Sequence, residues 1–330
     1  MEQFVDSFPK EEVYLTGEEI HKRLDEIERI HAIYSPVKLG LAAALACCAF
    51  TFLLGGGPVE MILAFLCAGV GNVIRTKLIK HNFTLFLNIA AAISCSCLLY
   101  SILLKLAEVL FHVSALHEAG YISSILFMIP GFPFITSGID LSKLDLRSGL
   151  ERLSYSIIIV LVATMTAWIM ALLLHLQPLN FTSMDLNPIL HLFLRLIASF
   201  CGVFGFSIMF NSPVKMAAIA AAMGALANTF RLELVDLTGM PAAAAAFIGA
   251  LTAGLLASLI KKYNGYPRIS LTVPSIVIMV PGLYLYRAFY NFGIMSLTDA
   301  FSWGAAAIMI IIALPLGLIF ARILTDRTFR

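Results

Sequence analysis

The chain has 330 residues, of which 60% are hydrophobic and 13% charged, with a formal net charge of +2. A soluble domain carries roughly 25% charged residues, and one soluble core stops growing near about 250–300 residues. The apolar runs that recur from Val37 to Ile323, with a mean hydropathy of +0.92, therefore exclude a soluble fold.

Residues 1–36 are polar and acidic and lack the apolar core of a cleavable signal, so the first span is expected to act as an uncleaved insertion signal. Thr16-Gly17-Glu18-Glu19 fits a capping box. Ile20, Leu24, Ile27 and Ile30 then recur at helical spacing. The spacing predicts a short cytosolic amphipathic helix, docked on membrane or loops or simply solvated, which Pro36 ends.

A bilayer core of about 30 Å needs roughly 17–25 apolar residues per helix. Ten stretches are predicted to span it: Val37–Leu54, Val59–Ile74, Phe83–Leu104, Tyr121–Ile139, Tyr155–His175, Pro188–Phe210, Val214–Phe230, Pro241–Ile260, Leu271–Tyr286 and Ser302–Leu324. The second, seventh and ninth are short. Cys47, Cys48, Cys67, Cys95, Cys97 and Cys201 all lie in apolar runs and read as small apolar residues. With the N-terminus in the cytosol, 18 of the 22 Lys and Arg fall on the cytosolic side, three (Lys105, Arg231 and Arg287) fall outside, and Arg195 lies within a span. This asymmetry fixes orientation by the positive-inside rule, with both termini cytosolic.

Ser124-Ile-Leu-Phe-Met-Ile-Pro-Gly131 matches Ser275-Ile-Val-Ile-Met-Val-Pro-Gly282 at five of eight positions. A weaker pair is Gly71-Asn72-Val-Ile-Arg75 and Ala227-Asn228-Thr-Phe-Arg231. Each pair is separated by five spans, an odd number, so the halves are expected to run in opposite directions. The predicted fold is all-α: a polytopic membrane protein of about ten transmembrane helices in two inverted five-helix repeats. A lead-in (1–36) is followed by repeats over 37–178 and 179–330. Inverted repeats with interrupted helices at matching positions point to a secondary transporter with its site at the midplane.

The interruptions supply the candidate pathway. Pro130-Gly131 and Pro281-Gly282 each remove a backbone donor and loosen the chain, and the freed polar groups must face protein or a wet cavity. Pro133, Thr136, Ser137 and Asp140 follow the first pair. Asp140 reads as a proton-coupling or ammonium-binding acid, or as a plain helix-terminal acid. Asn72 with Arg75, and Asn228 with Arg231, share a helix face at a spacing of three. Asn binds polar groups and Arg a carboxylate, unless the arginines only snorkel. Arg195, with His191 a turn earlier, is an ionisable group within a span. Tyr284, Tyr286, Arg287 and Tyr290 line an outer gate or form an interfacial belt. Glu60 reads as interfacial. No metalloprotease, nucleophile-elbow or Walker signature is present, and nothing supports an enzyme or nucleic-acid binding.

These residues resemble the threonine/serine exporter family. The first half carries Leu24–Ile30, Tyr34-Ser-Pro36 and the run Ser124–Gly149; the second carries Phe204–Pro213, Gly224–Arg231 and Val273–Tyr286, like the smaller subunit of split-type exporters. Family members usually have a longer cytosolic region before the first span. The resemblance implies a secondary transporter in the plasma (inner) membrane, an antiporter that uses the proton-motive force and no cofactor. Its implied partners are threonine, serine, protons and the lipid bilayer, with a homo-oligomer left open. The competing readings are a dicarboxylate (succinate) exporter of the same fold, a passive channel, and a structural or regulatory membrane partner that moves no solute.

Overall fold

The computed structural model describes residues 16–28, 33–112, 115–178, 180–181, 184, 186–264 and 266–326. Ile30 of the amphipathic lead-in, and Lys10, Arg29, Arg327 and Arg330 among the loop charges, lie outside the described residues. The described residues form thirteen α-helices and no strand. They are α1 (Gly17–Glu28), α2 (Pro36–Leu53), α3 (Pro58–Lys80), α4 (Leu85–Phe111), α5 (Gly120–Ser123), α6 (Gly131–Ser142), α7 (Leu146–Leu174), α8 (Pro188–Met209), α9 (Val214–Thr238), α10 (Ala242–Asn264), α11 (Arg268–Val277), α12 (Gly282–Gly293) and α13 (Leu297–Thr325).

Helix α1 starts at the expected capping box. Glu19 Oε2 accepts the Thr16 N–H at 2.9 Å, and Thr16 Oγ1 accepts the Glu19 N–H at 3.3 Å. Eight helices, α2–α4, α7–α10 and α13, are long and apolar enough to cross a membrane. Two bent pairs, His117–Met128 with α6 (53°) and α11 with α12 (50°), pass the same test together and bring the candidate spans to as many as ten when each pair counts as one broken span. The chain is thus a multi-pass membrane protein. Several helices outrun the predicted spans: α3 continues to Lys80, α9 reaches Thr238, and α7 starts at Leu146. Hydropathy registers side chains, whereas the helical hydrogen-bond ladder continues into the interface. There Lys77 and Lys80 extend their heads to water.

Both bends have one cause. Pro130 (φ −80°, ψ 62°) and Pro281 (φ −82°, ψ 57°) each centre an inverse γ-turn. The Gly131 N–H donates to Ile129 O at 2.8 Å, and the Gly282 N–H to Val280 O at 2.9 Å. Each turn is entered through matching bonds, Ile129 N–H to Leu126 O and Val280 N–H to Val277 O. Each is left through Phe134 N–H to Pro130 O or Leu285 N–H to Pro281 O. The two backbones therefore repeat residue for residue.

The breaks also pack against each other. A Cβ on Gly131 would stand 3.1 Å from Val277 Cγ1 and Val280 Cγ2; one on Gly282 would stand 2.8 Å from Leu126 Cδ2 and 3.0 Å from Ile129 Cγ1. Leu126 and Ile129 occupy the places in the first motif that Val277 and Val280 occupy in the second, so the contact is reciprocal, as across a local two-fold axis. Helices α2 and α8 obey the same rule. A Cβ on Gly205 would meet Ala42 O at 2.5 Å and Ala46 Cβ at 3.0 Å, while one on Gly202 would lie 3.6 Å from Ala49 Cβ. Phe50 and Phe206 meet edge-on with centroids 6.4 Å apart. Small residues let these helices touch without a hydrophobic drive between them.

Since the Gly205 neighbour is backbone, it cannot swing aside. Gly205→Ala is expected to destabilise by about 1–3 kcal/mol, lowering the thermal midpoint measured in detergent. Gly17→Ala, with nothing within 4 Å, leaves that midpoint unchanged.

Candidate functional site

Two cavities flank the crossed breaks. The first, about 350 Å³, is lined by Arg75 of α3, the first broken segment from Phe127 to Pro133, Tyr155 of α7 and the last turn of α8. The second, about 270 Å³, is lined by Asn228 and Arg231 of α9, the second broken segment from Ile278 to Tyr284, Arg287 and Trp303. Each cavity thus joins an arginine to a Pro-Gly break. Between them Phe50, Leu126, Ile129, Phe206, Val277 and Val280 close on a void of about 10 Å³. A third space, about 530 Å³, adjoins the first through Phe132, Pro133 and Tyr155 and adds Thr136, Glu151 and Arg152.

The turns set the polarity of these cavities. In a continuous helix the Phe127 carbonyl would accept from Gly131, and the Ile278 carbonyl from Gly282. Both glycine N–H groups instead bond within their γ-turns. Pro133 has no N–H to give Ile129. Phe127 and Met128 face the first cavity, Ile278 and Met279 the second. Residues whose carbonyls have lost their helical donor thus line the same cavity as a guanidinium in each half.

The asparagines are matched as well. Asn72 Nδ2 donates to Leu39 O of α2 at 2.8 Å, and Asn228 Nδ2 to Ser199 Oγ of α8 at 2.9 Å. Both side chains are buried, and both Oδ1 atoms lack a partner. No carboxylate among the described residues pairs with Arg75 or Arg231, and Arg231 Nε is buried without a hydrogen bond. An unpaired guanidinium and an orphaned acceptor are costly inside a bundle.

Other predicted site residues are placed differently. Gly131 belongs to the crossing rather than to the first cavity. Thr136 lines the third space, with its hydroxyl shared between Phe132 O and Pro133 O. Ser137 is buried and donates to Gly149 O at 2.9 Å, which ties α6 to α7. Asp140 is ion-paired with Arg152 at 2.7 Å. Arg195 is paired with Glu233 at 2.8 Å and with Asp236. Tyr286 is buried, its hydroxyl 2.6 Å from that of Tyr121, with the rings edge-on at 5.8 Å. This is the direct side-chain bond between the two broken helices.

Some residues at the site carry no signal in the sequence. Tyr155, which joins the first and third spaces, and Phe50 and Phe206, which separate the main cavities, look like ordinary apolar positions there. Trp303 underlies Arg287 at 4.8 Å. Glu60, read as interfacial, has a side chain with 0% exposure and lies 2.6 Å from His117 Nδ1. A helix that begins at a membrane boundary still buries its first turn when another segment covers it, as residues 115–123 do here.

A family model described as "Putative threonine/serine exporter" matches residues 1–174, and one described as "Threonine/Serine exporter, ThrE" matches residues 195–324. No curated protein and no solved structure matches the chain. With both segments on one polypeptide, each carrying its own arginine and Pro-Gly break, the chain belongs to the threonine/serine exporter family.

Proposed function

We propose that the protein exports threonine and serine across the cell membrane by alternating access, in exchange for protons. The observation that carries this reading is the pair of cavities on either side of a plug a few side chains thick, one lined by Arg75 and the first broken helix, the other by Arg231, Arg287 and the second. The guanidinium takes the amino-acid carboxylate, and the freed carbonyls of the broken segment take the ammonium. Arg75 serves the cytosolic side and Arg231 the outer side, with the basic end in the cytosol as the loop charges imply.

The reciprocal contacts support exchange between two states. The crossed breaks, related by five spans, let one half adopt the arrangement of the other, with the domain division 37–178 and 179–330. The first cavity and its neighbouring space together exceed the second, and the Tyr121–Tyr286 bond lies on the opposite side of the breaks from Thr136 and Arg152. In the proposed orientation this makes the cytosolic side the open one and the Tyr121–Tyr286 bond the outer latch.

A single arginine in the first cavity suits one carboxylate. A dicarboxylate would enter with its second charge unpaired there, which disfavours the succinate reading. Neither the arginine pairing nor the plug is needed by a passive channel, whose flux would ignore counter-substrate.

A hydrogen-bonded charge contributes about 1.5–3 kcal/mol. Arg75→Gln and Arg231→Gln are each expected to weaken threonine binding by about 10- to 150-fold, read as a raised half-saturation in counterflow of labelled threonine in proteoliposomes. Arg147→Gln, which alters an exposed pair with Glu151, keeps the wild-type value. Counterflow unchanged in both cavity variants sinks the carboxylate assignment. Removing the plug with Phe50→Ala plus Phe206→Ala is expected to give downhill threonine leak that persists without any counter-substrate; a leak-free double variant refutes the plug.

A further inference from the structure

Exchange with protons needs a group that gains and loses one. Among the acids of the described spans, Asp140 is held by Arg152, Glu151 by Arg147, and Glu233 and Asp236 by Arg195, while Glu108 lies in the last turn of α4 and Asp299 is exposed in the first turn of α13. Glu60 differs. Its side chain is fully buried near the start of α3, and no Lys or Arg among the described residues forms an ion pair with it. Oε2 accepts the Gly57 N–H at 3.0 Å, and Oε1 stands 2.6 Å from His117 Nδ1. The His117 side chain is 19% exposed, so the pair is not sealed from water.

The surroundings are anionic or neutral. Tyr100 of α4 donates its hydroxyl to His117 O at 2.7 Å, and Cys67 of α3 and Glu118 lie within electrostatic reach of that hydroxyl. Glu118 accepts the Gln177 N–H at 3.0 Å. With neutral imidazole the Glu60–His117 pair carries one negative charge. A proton added at His117 Nε2 brings the pair to zero net charge while both partners keep their hydrogen bond. An uncompensated charge inside a helix bundle is expensive, and His117 is the described side chain in hydrogen-bond reach of Glu60 that can carry a compensating charge.

The pair also sits where such a change can be felt. Glu60 shares α3 with Asn72 and Arg75, and His117 opens the segment that runs through Tyr121 to the Pro130 break. We propose that Glu60 and His117 form the proton-binding site of the exchange cycle. The site loads from the outer side and clamps the Arg75 helix to the first broken helix according to its charge. This rests on the proton-exchange reading above and moves the proton from Asp140 to Glu60.

The test uses the full-length protein in proteoliposomes, with the membrane potential held at zero by potassium and valinomycin. Threonine accumulation driven by a pH gradient is referred to each variant's own threonine counterflow. At one proton per threonine, the wild type is expected to build about a tenfold threonine gradient per unit of pH. Glu60→Gln is expected to build none, and Asp140→Asn to build the wild-type gradient. A full gradient in Glu60→Gln, or its loss in Asp140→Asn, overturns the assignment. Should Glu60→Gln lack counterflow altogether, His117→Gln, which leaves the Gly57 cap intact, decides by the same readout: loss of the gradient supports the pair and its retention refutes it. Absence of counterflow in both variants marks the pair as structural and also refutes it. A wild type with counterflow but no pH-driven gradient overturns proton exchange itself, a failure distinct from that of the pair.

Discussion

A helix that breaks inside a bilayer exposes amides and carbonyls that lipid cannot satisfy. Here the Pro130 and Pro281 turns meet that constraint by covering each other. Each glycine takes up the aliphatic side chains that enter the partner turn, Val277 and Val280 over Gly131, Leu126 and Ile129 over Gly282. Much else in the architecture follows from keeping that crossing dry while its flanks stay polar.

The crossing also explains why small residues gather where they do. Helices α2 and α8 must approach closely enough to bring Phe50 and Phe206 together over the breaks. Ala42, Ala46, Gly202 and Gly205 make that approach possible. Beside this layer lie the cavities, with Arg75 in the first and Arg231 and the partnerless Asn228 oxygen in the second. Polar groups thus sit next to a plug of hydrocarbon side chains rather than within it, a layout suited to moving a zwitterion past a thin barrier.

The sequence made the broad plan legible, because bilayer thickness imposes a length on apolar runs and proline imposes a break. The octapeptide repeat around each Pro-Gly is matched by two equivalent turns, each beside a cavity that holds the arginine of its Asn-x-x-Arg pair, Arg75 or Arg231; Asn228 lines its cavity and Asn72 does not. Hydroxyls and charges within spans were harder to read. Ser137 satisfies Gly149, Asp140 is taken by Arg152, and Arg195 by two acids on α9. A lone sequence shows a polar residue in a span but not whether a neighbour 12 or 40 positions away answers it. The same blindness hid Glu60, whose partner His117 is distant in the chain and whose burial depends on a short helical segment that hydropathy does not resolve. Phe50 and Phe206 escaped notice for the opposite reason: nothing separates a barrier ring from any other apolar ring until the packing is known.

The repeat is imperfect in one respect. The positions matching Tyr121 and Tyr286 are Thr272 and Ile135, a pair that cannot reproduce a phenol-to-phenol hydrogen bond. Such a bond is worth about 1 kcal/mol, enough to skew an otherwise even two-state population by about fivefold. The phenol pair therefore favours the arrangement described here over its mirror, leaving the molecule at rest with the Tyr121 side shut and the Thr136 side accessible.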